Sequence, residues 1–530
     1  MDTTPRGLTA RHKGESMIRI GVDVGGTNTD AVVMRNAEFL AGAKSPTTPD
    51  VLAGVRNAIA AAISGASVGH AEIDAVMVGT THFVNALVQR KGLAPTGIIR
   101  LCLPAGGSLH PFADWPDELI AAIGGRFRLI DGGYEMDGRE ISPLSRSQLL
   151  DAAAALLAEG CREIAICSVF ATVRGDMETG AAAILAQAYP DLSVTVSREI
   201  GGMGLMQREN AAIINAALKP LAREVVAAFS QLRADLGLTC PLYFTRNDGT
   251  LIDAAEVARL PVLTFACGPT NSMRGAAFLS GLQNALVVDI GGTTTDVGEV
   301  RNGFPRLAGV SVTVADVQTN FSMPDVISIG LGGGSIVRHA PLSIGPDSVG
   351  YRLLDEGMVF GGRTLTASDI AVAAGRARMG SAPAPEVPQL AELLAILDRV
   401  VADAVARART SGEDIPVLAV GGGSVLMADT VDGLKVVRPP HHDLANAVGA
   451  AIAQVSGEVS KIISLVDGLT REAAIEQIAG EARAEAIRRG ADPATLTVLS
   501  KSDVPLAYLP GNNLSISVTV VGDLMLESAR

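Results

Sequence analysis

One eleven-residue pattern occurs twice in this chain, and it limits the fold more than any other feature. Residues 20–30 read IGVDVGGTNTD and residues 286–296 read LVVDIGGTTTD. Seven of the eleven positions are identical and two more exchange one aliphatic residue for another, without a gap. Asp289 follows Asp23 by 266 positions in a chain of 530, about half its length. Self-similarity on that scale predicts two similar units facing one another.

Each copy reads as an apolar strand, an aspartate at its end, two glycines in a turn and a threonine-rich second strand. In Gly25, Gly26, Gly291 and Gly292 no Cβ stands between the turn amides and a phosphate oxygen. Thr27, Thr29, Thr293 and Thr295 add hydroxyl donors. Asp23 and Asp289 would face the phosphates, where bare carboxylates repel. A Mg²⁺ (or Mn²⁺) ion held by both resolves the repulsion, because such ions accept carboxylate, phosphate and water oxygens together. Asp30 and Asp296 are expected to order the hairpins or to touch metal-bound water. A single Gly-Gly turn is best read as an ordinary hairpin; two with an aspartate at the same point favour a phosphate clamp. A third glycine run, Gly421, Gly422, Gly423 and Ser424, ends the apolar segment 417–420 and is expected to receive a purine or ribose. Residues 327–335 (ISIGLGGGS) form a fourth such segment. Close strand–helix packing would also explain either of these last two.

Strand and helix signals alternate throughout, the pattern of an α/β protein with inserted α/β segments. Expected strands include 18–24, 31–34, 75–78, 286–290, 297–300, 417–420, 496–499 and 506–509. A long helix over 205–236 is placed to bridge the halves. The expected division is a loosely ordered extension at 1–16, an N-terminal domain at 17–204, a second domain at 205–455, and a helix with closing strands at 456–530. The net charge of −13 and the lack of a Lys/Arg cluster argue against a nucleic-acid binder. No apolar run reaches the length of a membrane span, and residues 1–16 lack the apolar core of a secretory signal. Five cysteines without CxxC pairing fit a reducing compartment, so a cytoplasmic location is expected.

The ordered set of two phosphate-type turns followed by strand–GGGS resembles the actin-like (ribonuclease H-like) ATPase superfamily, in which two related domains close on ATP and metal. Further motifs narrow the resemblance. Residues 23–30, 79–86 (GTTHFVNA), Gly268-Pro269, 289–296, 332–335 (GGGS) and 345–348 (GPDS) are similar to the hydantoinase A/oxoprolinase family over about residues 18–455. Where that family usually continues after GPDS with Pro-Gly-Pro-Ala-Cys-Tyr-Gly, this chain reads VGYRLLDEG at 349–357. The resemblance implies ATP-dependent ring opening of a cyclic amide or imide, such as a hydantoin or lactam, by phosphoryl activation of its carbonyl. It also implies a second protein subunit; a homo-oligomer is compatible with it. Two other readings stay open: an ATPase that drives conformational change in a partner protein, and a small-molecule kinase.

His82 and Asn85 are the expected substrate contacts. They follow a buried strand, where open α/β sheets place ligands, and supply donors and acceptors for a ring amide. His82 could equally pack at a helix start. Asn247-Asp248-Gly249 reads as a turn that could reach the cleft. Cys267 reads as a buried thiol, Asp443 as a helix N-cap, and the adjacent His441 and His442 only weakly as metal ligands.

Overall fold

The computed structural model describes residues 16–47, 50–309, 311–465, 469–506 and 512–526. Each copy of the repeat builds the same four-stranded unit. In the first, Ile18–Val24 pairs antiparallel with Asn28–Arg35, which pairs antiparallel with Glu38–Pro46. On its other side Ile18–Val24 runs parallel to Ala75–Thr80. In the second, Ala285–Ile290 pairs antiparallel with Thr295–Arg301, which pairs antiparallel with Val326–Ile329. Its other neighbour, Val417–Val420, is again parallel. The repeat is therefore a repeat of topology, with Asp23 opposite Asp30 and Asp289 opposite Asp296.

Ile20, Val22, Leu286 and Val288 are fully buried. Such continuous burial is what strands covered on both faces require. The first sheet extends beyond Ala75–Thr80 through Leu242–Thr245, Thr250–Asp253, Gln454–Ser464, Asn513–Gly522 and Thr497–Pro505, nine strands in all. Strands from the end of the chain thus complete a sheet begun at its start. The separate strands expected at 496–499 and 506–509 are corrected in part: Thr497–Pro505 is one strand, and residues 507–509 lie outside the described residues.

A parallel four-stranded sheet is inserted after the first unit, in the order Arg126–Asp131, Thr96–Leu103, Glu163–Ser168, Ser193–Val196. The long helix, Leu205–Asp235, packs against it and has Pro220 in its interior. Arg100 of the inserted sheet donates from Nε to Oε2 of Glu209 on this helix at 2.6 Å, and both side chains are fully buried. Losing one partner of such a pair costs about 3–5 kcal/mol, so the contact fixes the insert to the helix.

Helices Cys267–Ser280 and Ala445–Ala451 lie between the two units. They cross where glycine permits backbone contact: a Cβ on Gly449 would lie 1.8 Å from the Asn271 carbonyl oxygen, and one on Gly275 would lie 1.9 Å from that of Ala445. This crossing fixes Asn446, one residue into the second helix, between the two repeats.

Candidate nucleotide and substrate site

The two hairpin turns close in the same way. Gly25 N–H donates to the Asn28 carbonyl at 3.1 Å and Gly291 N–H to the Thr294 carbonyl at 2.9 Å. The turns meet across a cavity of about 790 Å³, walled by Gly25, Gly26 and Thr27 on one side and Gly291, Gly292 and Thr293 on the other. A Cβ on Gly292 would lie only 2.3 Å from Thr27 Oγ1. Asp23, Asp30, Asp289 and Asp296 line the same cavity, as do Gly421, Gly422 and Gly423. Gly423 N–H donates to the Ile290 carbonyl at 2.8 Å, which ties the third glycine run to the second turn.

The cavity's electrostatics follow from burial. Burial, with Asp30 and Asp289 adding repulsion, pushes the Asp23 carboxyl up to about 7. Burial, with Asp296, pushes Asp289 up to about 6. Asp30 and Asp296 are also raised, again mainly by burial. Asn446 Nδ2 donates to Asp23 Oδ2 at 3.3 Å, and the same side chain works against the rise at Asp289, so one amide acts on both repeated aspartates.

The residue set fits a magnesium nucleotide. A buried carboxylate oxygen, Asp30 Oδ1, has no hydrogen-bond partner. A Cβ on Gly79 would lie 3.1 Å from Asp23 Oδ1, and one on Gly421 would lie 2.3 Å from Asp289 Oδ1, so a glycine flanks each aspartate. Among the described residues no three His, Cys, Asp or Glu side chains form a metal cage. Magnesium does not require one, since one or two carboxylates with phosphate and water suffice. The volume also lies within the roughly 300–1,000 Å³ usual for small-molecule sites.

Three expected nucleotide contacts do not line the cavity, and strand alternation explains two of them. Thr29 and Thr295 precede Asp30 and Asp296 on their strands and lie on the opposite face. Thr29 is fully buried, and Thr295 Oγ1 donates to the Leu331 carbonyl at 2.6 Å. Ser424 turns away to hydrogen-bond His442 Nδ1 at 3.0 Å. The fourth glycine run braces the second turn, with Gly333 and Gly334 N–H donating to the carbonyls of Gly291 and Gly292.

The helix His82–Gln89 presents Thr81, Val84 and Asn85 to the cavity. Asn85 Nδ2 donates to Thr81 Oγ1 at 3.2 Å. His82 is exposed and does not line the cavity; partial desolvation lowers its pKa. Asn247 does not line it either: it braces the loop at 262–266, accepting from Ala266 N–H at 2.8 Å. Cys267 is buried, exchanges hydrogen bonds with the Thr80 backbone and has its thiol pushed up to about 12. Asp443 lies within the turn His442–Leu444 and lines the cavity; the N-cap of the following helix is Leu444. His441 stacks on Phe39 with ring centroids 3.9 Å apart, leaving the two histidines on separate partners.

Sequence reasoning missed Lys44, Asn446 and the apolar wall of Leu353, Leu354 and Phe360. Leu353 and Leu354 lie on the short helix Leu353–Glu356, and Phe360 in the turn Met358–Phe360 that follows it.

Comparison with known proteins settles the lineage. Residues 19–189 match the hydantoinase/oxoprolinase N-terminal region and residues 208–383 match hydantoinase/oxoprolinase. The chain belongs to the hydantoinase/oxoprolinase family. Among family relatives, caprolactamase subunit alpha from Pseudomonas jessenii is 26% identical over 355 residues, covering 63% of this chain and 51% of that one. Acetophenone carboxylase gamma subunit from Aromatoleum aromaticum is 27% identical over 373 residues, covering 62% and 49%. This hydantoinase/oxoprolinase chain spans about half the length of those curated relatives. The crystal structure of ATP-dependent caprolactamase from Pseudomonas jessenii has the same fold, with a TM-score of 0.74 at 18% identity over 96% of this chain and 88% of that one. Nucleotide-free acetone carboxylase gives 0.68 at 18% identity over 97% and 89%. The fold is thus the α/β fold of those two structures, with two units of like topology around a cleft. Among the described residues no helix is long and apolar enough to cross a membrane.

Proposed function

We propose that this chain is the ATP-using component of an enzyme that opens a cyclic amide or imide, acting on a lactam or hydantoin with a second subunit in the cytoplasm. One observation carries the reading: two Asp-x-Gly-Gly-Thr turns converge on a single cavity whose far wall offers the Thr81–Asn85 pair. A lactam carbonyl resists attack by water because nitrogen donates into it. Bound ATP and Mg²⁺ supply a phosphoryl group for the carbonyl oxygen and the charge to neutralise it.

The chain's own residues divide the remaining work. Asp23 and Asp289 hold the metal, directly or through water. The amides of Gly26 and Gly292 receive developing negative charge, while those of Gly25 and Gly291 are spent closing the hairpins. Gly421–Gly423 receive the nucleoside. Asn85, oriented by Thr81, contacts the ring amide. Asp30 and Asp296 order water at the phosphate end. Overall, lactam, ATP and two waters become the ring-opened amino acid, ADP and phosphate: one water adds to the ring carbon as the C–N bond breaks, and the other releases phosphate from the resulting acyl phosphate.

The carboxylase relatives favour one alternative: the same carbonyl-oxygen phosphorylation applied to a ketone that is then carboxylated. ADP release, measured with hydantoin, 5-oxoproline, caprolactam, or acetophenone plus bicarbonate, with and without partner protein, separates the readings. Stimulation by a cyclic amide with ring-opened product supports ring opening. Stimulation only by ketone and bicarbonate replaces it with carboxylation.

A further inference from the structure

The two topological repeats can be compared row by row across their strands. In the first, Asp23 lies opposite Asp30, and Asp30 opposite Lys44. In the second, Asp289 lies opposite Asp296, and Asp296 opposite Ser328. The rows agree until their last member, where one copy carries a cation and the other a hydroxyl. The matching contact persists, since Lys44 Nζ donates to Asp30 Oδ2 at 2.9 Å and Ser328 Oγ donates to Asp296.

This difference matters because of the charge around it. Asp23, Asp30, Asp289, Asp296 and Asp443 all face the cavity, and among its described lining residues Lys44 is the one cation. A nucleoside triphosphate adds about one more negative charge than a diphosphate, on its terminal phosphate. A single divalent ion does not offset five carboxylates and that group together, so a fixed cation near the terminal phosphate lowers the repulsion most.

Lys44 is prepared for this role. An ammonium has three donors. Asp30 Oδ2 and the Asp443 carbonyl accept two of them, which holds Nζ at the cavity wall, and Asp443 Oδ2 stands 3.9 Å away, within ion-pair range but too far to accept the third. The side chain retains 33% exposure, so it is not sealed within its ion pair.

We propose that Lys44 anchors the terminal phosphate of the nucleotide and makes the site prefer a triphosphate to a diphosphate. The same asymmetry directs the phosphate tail toward the first repeat. This inference rests on the ATP-dependent reading above and adds to it the residue that distinguishes ATP from ADP.

Calorimetric titration of the full chain with Mg·ATP and with Mg·ADP tests it, using wild type, Lys44→Met and Lys44→Arg. A lost charged hydrogen bond predicts that Lys44→Met weakens Mg·ATP binding by about 10–100-fold. Mg·ADP should change by less than about threefold, a check that the site is still folded. Lys44→Arg should keep most of the preference for triphosphate. Equal losses for both nucleotides, or no loss for either, would overturn the role of Lys44 while leaving the nucleotide site intact. A wild-type chain that binds neither nucleotide would overturn the ATP-dependent reading itself.

Discussion

Thr27 and Gly292 are direct neighbours across the cavity, although they belong to turns in opposite halves of the chain. A Cβ on residue 292 would lie 2.3 Å from Thr27 Oγ1 and 2.9 Å from its Cβ. Rotating the threonine side chain relieves the first contact but not the second. Gly292→Ala should therefore push the turns apart, at a cost of about 1–3 kcal/mol. Mg·ATP affinity should fall by about tenfold, and adding Thr27→Gly should restore most of it. Calorimetry on the single and double variants checks this; a double variant no better than Gly292→Ala would show that the turns do not need to touch.

The repeated aspartates are held at a cost to stability. Asp23 rises from 3.8 to about 7 and Asp289 from 3.8 to about 6 on burial. The folded chain therefore binds more protons than the unfolded chain across that interval. Its stability without ligand falls as pH rises through the interval, and is recovered on acidification. Asp23→Asn and Asp289→Asn remove the effect. Each should raise the melting temperature of the ligand-free protein by about 2–4 °C near pH 8, with a smaller gain near pH 5. Thermal melts at the two pH values decide; a gain independent of pH would mean that charge repulsion is not its source.

Asn446 donates to Asp23 and works against the raised pKa of Asp289, so its loss should act on both halves at once. Asn446→Leu keeps similar bulk and removes the donor. It should lower both the ligand-free melting temperature and Mg·ATP affinity, the latter by about 10–100-fold. Unchanged Mg·ATP titration would reduce Asn446 to packing.

Thr81, Val84 and Asn85 share one helix face, and His82 lies outside the cavity lining. Asn85→Ala should lower kcat/KM for the amide substrate by about 5–150-fold while ATP binding persists. His82→Ala should have the smaller effect. Steady-state kinetics of the two variants, with any required partner present, check the order; a larger loss at His82 would place the substrate elsewhere.

These placements show which parts of the site could be read from the sequence. Asp23 and Asp289 were legible because a gapless repeat marks equivalent positions without knowledge of pairing. The burial of Thr29 and Thr295 away from the cavity follows from strand alternation with Asp30 and Asp296. The separation of His82 from Asn85 follows from helical spacing, since positions 81, 84 and 85 share a face. Lys44 was hidden because Glu38–Pro46 contains Gly and Ala where strands usually carry branched residues, and its role depends on facing Asp30. Asn446 was hidden for a different reason: it lies 423 residues from Asp23, brought there by the glycine crossing of two helices.

The two repeats together make one site. Calorimetric titration with Mg·ATP of the wild-type chain, Asp23→Asn and Asp289→Asn tests it most directly. One nucleotide per chain is expected, with a loss of about 100-fold or more in either variant, because each aspartate serves the same metal. Two nucleotides per chain, or binding that survives either substitution at wild-type strength, would contradict it.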